Sequence, residues 1–159
     1  TFKGCLYFGL MITSDGPKVI EYNCRFGDPE TQVVLPLLES DLYTIMRATT
    51  DGTLDSTEVK FSDKYACCVI LASNGYPVSY KKGFEITFTP EAEEHTYVAG
   101  AKLDGEKLVT SGGRVTGTTA IADSLKTAIE EAYRITDGVK FEGAYRRSDI
   151  GKRALAALN

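Results

Sequence analysis

A chain of 159 residues with 43% hydrophobic content is long enough to bury a real core, as one domain or as one domain with part of another. Its net charge of -4 argues against general nucleic-acid binding, so an anionic ligand would be met by local basic groups, of which Arg25, Arg114, Arg146, Arg147, Lys152 and Arg153 are the supply. No apolar run reaches the roughly 18 residues that span a bilayer and no signal peptide is visible, which argues against a membrane protein.

The four cysteines, Cys5, Cys24, Cys67 and Cys68, show neither CxxC nor metal-ligand spacing. All four fall in expected strands and read as ordinary buried thiols of a reducing, cytoplasmic compartment. Adjacent Cys67 and Cys68 point to opposite faces, which disfavours a paired site.

In chain order, residues 5–13 are apolar and β-prone, residues 14–17 form a turn cluster, and residues 18–23 resume extended character, which predicts an antiparallel hairpin. Beyond it, Glu21, Asn23 and Arg25 occupy every second position, the spacing that puts them on one strand face. Glu21 and Asn23 would stand about 6.6 Å apart along that face. They are hard oxygen donors suited to Mg2+ (or Mn2+), an ion that usually takes one or two protein ligands and fills its shell with water and phosphate oxygens. Arg25 would face the same phosphates with a bidentate fork. The competing reading is a solvated strand face, which is the commoner fate of such a pattern.

Asp28 then stands directly before Pro29, as a natural N-cap before a natural first helical residue, which predicts a helix start there and an anion or amino-acid site at its N-terminus. Helical character over residues 30–38 meets Pro36, a break or kink. A second helix is expected after Ser40 as N-cap, with Leu42, Ile45, Met46 and Thr49 as its core-facing stripe and Gly52 as its stop. Residues 53–63 are polar and aperiodic and read as a linker between a first region, 1–52, and a second, 64–159.

The second region is written in short strands and turns. Strands are expected at 65–73, 85–88, 96–103, 107–110 and 114–122, with turns at 74–77 and at Asp104-Gly105. A helix should run over 123–137, capped by Asp123 or Ser124, with Leu125, Ala128, Ile129, Ala132 and Ile135 inward, and a last helix over 148–158 capped by Ser148 or Asp149. The fold class is α+β, a mostly antiparallel sheet with helices on one side. The Ser111-Gly112-Gly113-Arg114-Val115 loop offers either an ordinary turn or backbone amides for a phosphate. Arg146 and Arg147 read more simply as exposed residues at a helix entry. His95 reads as structural, and Glu91, Glu93 and Glu94 as a solvated turn.

The run Glu21-Tyr22-Asn23-Cys24-Arg25-Phe26-Gly27-Asp28-Pro29-Glu30, continued by Thr31-Gln32, resembles the signature of glycinamide ribonucleotide synthetases (phosphoribosylamine-glycine ligases), which are ATP-grasp enzymes of purine biosynthesis. The resemblance recurs at residues 111–115 and at Tyr145-Arg146-Arg147-Ser148-Asp149-Ile150-Gly151, so it covers nearly the whole chain. It implies that the chain holds the end of an ATP-grasp domain followed by the family's C-terminal domain. Family members are more than twice as long, so the remaining N-terminal domains of the same polypeptide become expected partners. The wording at 18–20 and 33–42 resembles the animal trifunctional form more than the bacterial one.

What the resemblance implies chemically is an ATP- and Mg2+-dependent ligation of glycine to 5-phosphoribosylamine through a glycyl phosphate, without nucleic acid or membrane as partner. It carries Glu21 and Asn23 over as metal ligands and Arg25 as the catalytic group facing the transferred phosphoryl of ATP. Asp28 is carried over as a second catalytic residue and, with Gly27 and Pro29, as substrate-binding, near glycine or phosphoribosylamine. Gly113 and Arg114 are carried over as reaching a nucleotide or ribose phosphate. Many ATP-grasp proteins place another acidic metal ligand on the preceding strand, and residues 5–13 contain none. The chain by itself is expected to be inactive and to bind ATP weakly. Two alternatives remain: another ATP-grasp carboxylate-amine ligase, which would lack the continuation from Arg25 to Glu30, and a non-catalytic module that retains the fold.

Overall fold

The computed structural model describes residues 1–158 and divides into two compact units, Thr1–Ser62 and Asp63–Asn159. In the first, strands β1 (Tyr7–Thr13) and β2 (Gly16–Asn23) form the expected antiparallel hairpin. Thr13 closes the turn by donating its hydroxyl to the Gly16 carbonyl at 2.8 Å, and Gly16 takes φ +95°, a left-handed conformation that favours glycine. The register shifts between Gly9 and Leu10, so Gly9 faces Glu21 while Leu10 faces Val19, and Ile20 is the extra residue of a bulge.

Two expectations for this unit are corrected. β2 ends at Asn23, and Arg25 lies in the following bend, so the strand face holds Glu21 and Asn23 but not Arg25. The next helix, α1 (Thr31–Val34), begins later than expected, with Glu30 rather than Asp28 as its N-cap residue. The Asp28-Pro29 peptide is cis, within a turn whose Gly27 carbonyl accepts the Thr31 amide at 2.9 Å. A 3-10 turn (Leu35–Leu37) carries the expected break at Pro36.

Helix α2 (Leu42–Asp51) is capped by Asp41 rather than Ser40, because the Asp41 carboxylate accepts the Thr44 amide at 2.7 Å. The Thr44 hydroxyl, which donates to the same carboxylate at 2.7 Å, and secondarily the amide hold the Asp41 carboxyl below its ordinary range. Gly52 ends the helix in the left-handed conformation, as expected. Of residues 53–63, expected to be a linker, 53–62 contain a 3-10 turn (Leu54–Ser56) and are part of the first unit. Leu38 bridges to Phe61, the Glu39 amide reaches the Lys60 carbonyl at 3.0 Å, and the Lys60 amide reaches Ser40 Oγ at 2.8 Å.

The second unit is built on a four-stranded antiparallel sheet in the order β10-β3-β8-β5: β3 (Tyr65–Ser73), β5 (Thr96–Val98), β8 (Arg114–Ala122) and β10 (Ala144–Tyr145). Two small antiparallel pairs flank it, β4 (Thr87–Phe88) with β9 (Val139–Lys140), and β6 (Ala101–Asp104) with β7 (Lys107–Thr110). Helices α3 (Pro90–Glu94), α4 (Leu125–Thr136) and α5 (Lys152–Ala157) complete an α+β fold. α4 starts at a Ser124 cap and lays Ala128, Ala132 and Ile135 on β3 and β8, where Val69 and Val115 have no exposed surface. This packing is the core.

The expected strand 96–103 is two strands in different sheets. Gly100 leaves β5 where its backbone crosses the 111–114 loop: a Cβ there would collide with the Arg114 carbonyl oxygen and lie 2.8 Å from Gly112 Cα. Helix α5 starts after Gly151, not at Ser148 or Asp149, because Asp149 is chelated by Arg147 through two 2.8 Å bonds. The turn expected at Glu91 is helix α3, capped by Thr89, and Glu91 is bound by both terminal nitrogens of Arg134 at 2.9 and 2.6 Å. Strands β9 and β10 have no counterpart in the sequence reading.

Candidate functional site

The run that opens the site begins on β2. With the bulge at Ile20, residues Glu21, Tyr22 and Asn23 pair in regular register with Gly9, Phe8 and Tyr7. Tyr7, Gly9, Glu21 and Asn23 therefore share one face, while Phe8 and Tyr22 stack edge to face at 5.1 Å on the other. Gly9 is needed opposite Glu21, since a Cβ there would lie 2.9 Å from Glu21 Cγ. The glutamate thus occupies space that a side chain would fill, and a glycine inside an apolar strand was the available sequence signal.

Past the strand, the backbone bends so that Arg25 donates from Nη1 to the carbonyl of Phe26 at 2.8 Å, leaving the rest of an exposed guanidinium outward. Gly27 is buried, and a Cβ on it would collide with the Glu30 carboxylate. Glu30 in turn accepts the Tyr7 hydroxyl at 2.9 Å, a bond that ties the turn back to β1 and holds the Tyr7 phenol above its usual pKa. Asp28 is exposed and accepts from Gln32 Nε2 at 3.0 Å. Sequence reasoning missed Tyr7 and the tying role of Glu30, because a 23-residue separation carries no local signal, and it passed over the signal that Gly9 offered.

The chain therefore brings Glu21 and Asn23 together on a strand and places Arg25, Gly27, Asp28 and Pro29 in the turn directly beyond it. Two oxygen donors at adjacent same-face positions suit a hard ion that keeps water or phosphate oxygens in its shell. They do not suit an ion needing a full protein cage: among the described residues no group of three or more His, Cys, Asp or Glu is placed to hold a metal.

Gly113 and Arg114 lie in the second unit, at the entry to β8. The amides of Ser111 and Gly112 both donate to the Gly100 carbonyl, at 2.7 and 2.9 Å, so neither is available to a phosphate. Gly113 packs on the Tyr76 ring, where a Cβ would collide. The glycine pair therefore makes a close crossing of backbones, the turn reading of this loop. Arg146 is committed as well: it pairs with Asp137 at 2.7 Å, donates to the Tyr133 carbonyl at 3.1 Å and stacks over the Tyr133 ring. His95 is exposed at the end of α3, with its carbonyl accepting the Thr119 amide. All four cysteines are free thiols; Cys67 is buried, and desolvation, with a smaller effect from Cys68, pushes its pKa from 9.0 to about 11. Among the described residues no helix is long and apolar enough to cross a membrane.

Residues 66–153 match the family model of the phosphoribosylglycinamide synthetase C domain, and residues 1–31 match that of the same enzyme's ATP-grasp (A) domain. The chain is 53% identical over 150 residues to a phosphoribosylamine-glycine ligase of Caldanaerobacter subterraneus, covering 94% of this chain and 36% of the relative. It is 50% identical to the human trifunctional purine biosynthetic protein adenosine-3, covering 99% of this chain and 16% of that one. The two values are too close to favour the animal form over the bacterial. Among solved structures, phosphoribosylamine-glycine ligase from Thermotoga maritima superposes with a TM-score of 0.78 at 36% identity, over 91% of this chain and 36% of that chain. The chain thus spans about a third of the length of the single-function ligases it matches. With the C-domain model alone covering more than half of its residues, the chain belongs to the phosphoribosylglycinamide synthetase family.

Proposed function

We propose that this chain contributes one wall of the active site of a cytoplasmic ligase that joins glycine to 5-phosphoribosylamine with ATP, in purine biosynthesis. The observation that carries the reading is the strand-to-turn arrangement of Glu21, Asn23 and Arg25, in a chain about half identical to proteins named phosphoribosylamine-glycine ligase. Glu21 and Asn23 would hold Mg2+ or Mn2+, which when bound supplies charge neutralisation to the phosphates of ATP. Arg25 orients the transferred phosphoryl group through its free guanidinium edge and offsets its charge. Asp28, beside Gly27 and Pro29, offers an exposed carboxylate to an ammonium group such as that of glycine. Arg114 is assigned to a substrate phosphate by resemblance, whereas the packing of Gly113 on Tyr76 supports a structural role for that residue.

The test places Glu21→Ala, Asn23→Ala and Arg25→Ala in a polypeptide that joins this chain to the family's N-terminal domains. Phosphate release dependent on glycine and phosphoribosylamine should fall on the order of 100-fold for Arg25→Ala. Glu21→Ala should in addition raise the Mg2+ concentration needed for half-maximal rate. Unchanged ligation in all three variants would refute the reading and favour a non-catalytic module. The chain by itself should titrate Mg-ATP no more tightly than millimolar in a calorimeter, because the exposed strand and turn offer only one face to a nucleotide.

A further inference from the structure

The residues assigned to the reaction stand on two supports. Glu21 and Asn23 belong to the β1–β2 ladder, whereas Arg25 and Asp28 belong to the turn beyond it. Bonds inside the turn are short in range: Arg25 Nη1 donates to the Phe26 carbonyl at 2.8 Å, the Thr31 amide to the Gly27 carbonyl at 2.9 Å, and Gln32 Nε2 to Asp28 Oδ1 at 3.0 Å. They shape the turn and aim the Asp28 carboxylate, but they do not fix its height above the ladder.

Glu30 makes a connection that does. The Tyr7 hydroxyl donates to Glu30 Oε1 at 2.9 Å, and Tyr7 is itself paired with Asn23 at the end of the ladder. Buried Gly27 closes the third side: a Cβ there would collide with Glu30 Oε2 and lie 3.0 Å from Tyr7 Cε2. The ring, the carboxylate and the glycine backbone therefore meet at one point, and a shift of any of them moves the turn.

The local needs of the chain do not ask for a glutamate here. Glu30 is the N-cap residue of α1, a position where Ser, Thr, Asp or Asn would satisfy the first amides of the helix, yet its side chain makes no capping bond. Its carboxylate is instead sent to a strand 23 residues back, as a charged acceptor for a phenol, which is the stronger class of hydrogen bond. Tyr7 shares the face of Glu21 and Asn23, so the tie is made on the side of the ladder that holds the reactive groups.

We propose that Tyr7 and Glu30 are positioning residues of the ligation, locking the 25–29 turn onto the ladder so that the amino acid held beside Asp28 meets the phosphoryl group held over Glu21 and Asn23. Neither touches substrate; both act through the placement of residues that do. Reacting groups must sit within a narrow range of distance, and a misplacement of about 1 Å can cost about 100-fold in rate. The role rests on the ligase reading of the same turn and deepens it.

The test measures steady-state ligation in a polypeptide joining this chain to the family's N-terminal domains, with folding checked by circular dichroism melting. Tyr7→Phe and Glu30→Ala should each lower kcat/KM for glycine about tenfold while KM for Mg-ATP stays within about twofold, since the ladder that carries Glu21 and Asn23 is untouched. Glu30→Gln, which keeps an acceptor for the Tyr7 hydroxyl, should restore most of the rate. The double variant Tyr7→Phe/Glu30→Ala should be no worse than Glu30→Ala alone, because the two side chains act through one bond. Unchanged glycine kinetics, equal losses on both substrates, a glutamine variant as impaired as the alanine one, or multiplying losses in the double variant each overturn the role. Arg25→Ala is measured alongside: full rate there sinks the ligase reading itself, whereas a rate lost there and kept in Tyr7→Phe sinks only the positioning of the turn.

Discussion

The β1–β2 hairpin of the first unit and the β3–β8 pair of the second are written in similar apolar, β-branched residues and end in opposite environments. Ile12 and Ile20 are 76% and 64% exposed, whereas Val69 and Val115 are fully buried. The difference is a covering layer: α4 lies across β3 and β8, while Phe8, Leu10, Met11 and Tyr22 stand exposed on the hairpin. Ala48 is the only buried hydrophobic residue of the first unit among those described. Since apolar burial is the main source of stability and a lone hairpin is marginal in water, the two units should differ sharply in how firmly they hold. A strand-forming sequence and a folded core are thus separate properties of a chain.

Truncation of a side chain in each unit is the most direct way to break this comparison. Leu71→Ala in the core should cost about 2–5 kcal/mol, whereas Ile12→Ala on the hairpin should stay within about 0.5 kcal/mol, both read by denaturant unfolding. Equal costs would mean that the hairpin is covered in solution. Next in size, Gly113→Ala forces a Cβ into the Tyr76 ring and should cost about 1–3 kcal/mol of second-unit stability. A neutral result would show that the Tyr76 ring moves aside easily.

Ser124→Ala should cost about 1 kcal/mol through the lost cap of α4, where Ser124 Oγ accepts the Thr127 amide at 3.1 Å. The smallest effect sharpens the contrast through the thiols. Folding raises the Cys67 pKa from 9.0 to about 11, so its contribution to stability is complete below pH 9 and is lost as pH rises toward 11. A Cys67→Ala variant should lack that alkaline step in a pH series of melting curves. At neutral pH exposed Cys24 should react with a maleimide at once, and Cys67 only when the second unit unfolds.

Legibility from sequence followed range. The hairpin turn, the Gly52 stop, the Asp104-Gly105 turn, the Ser124 cap and the inward stripe of α4 were readable because each depends on residues within a few positions of one another. Glu21, Asn23 and Arg25 were readable as a motif, but their shared face was not, since β2 stops at Asn23. The Asp28 cap and the Ser148 or Asp149 cap were sound local guesses overruled by other partners: Gln32 engages Asp28, and Arg147 engages Asp149. The stripe of α2 faces a cavity of about 460 Å³ shared with Cys5, Cys24 and Phe26 rather than a closed core.

By itself the sequence determined the family, the α+β character and the positions where the chain turns, because motifs, glycines and caps act over short distances. Only the tertiary structure decided which apolar strands are covered, which backbones cross at Gly100 and Gly112, and how Tyr7 reaches Glu30. These outcomes join residues tens of positions apart, and no local preference of the chain encodes them.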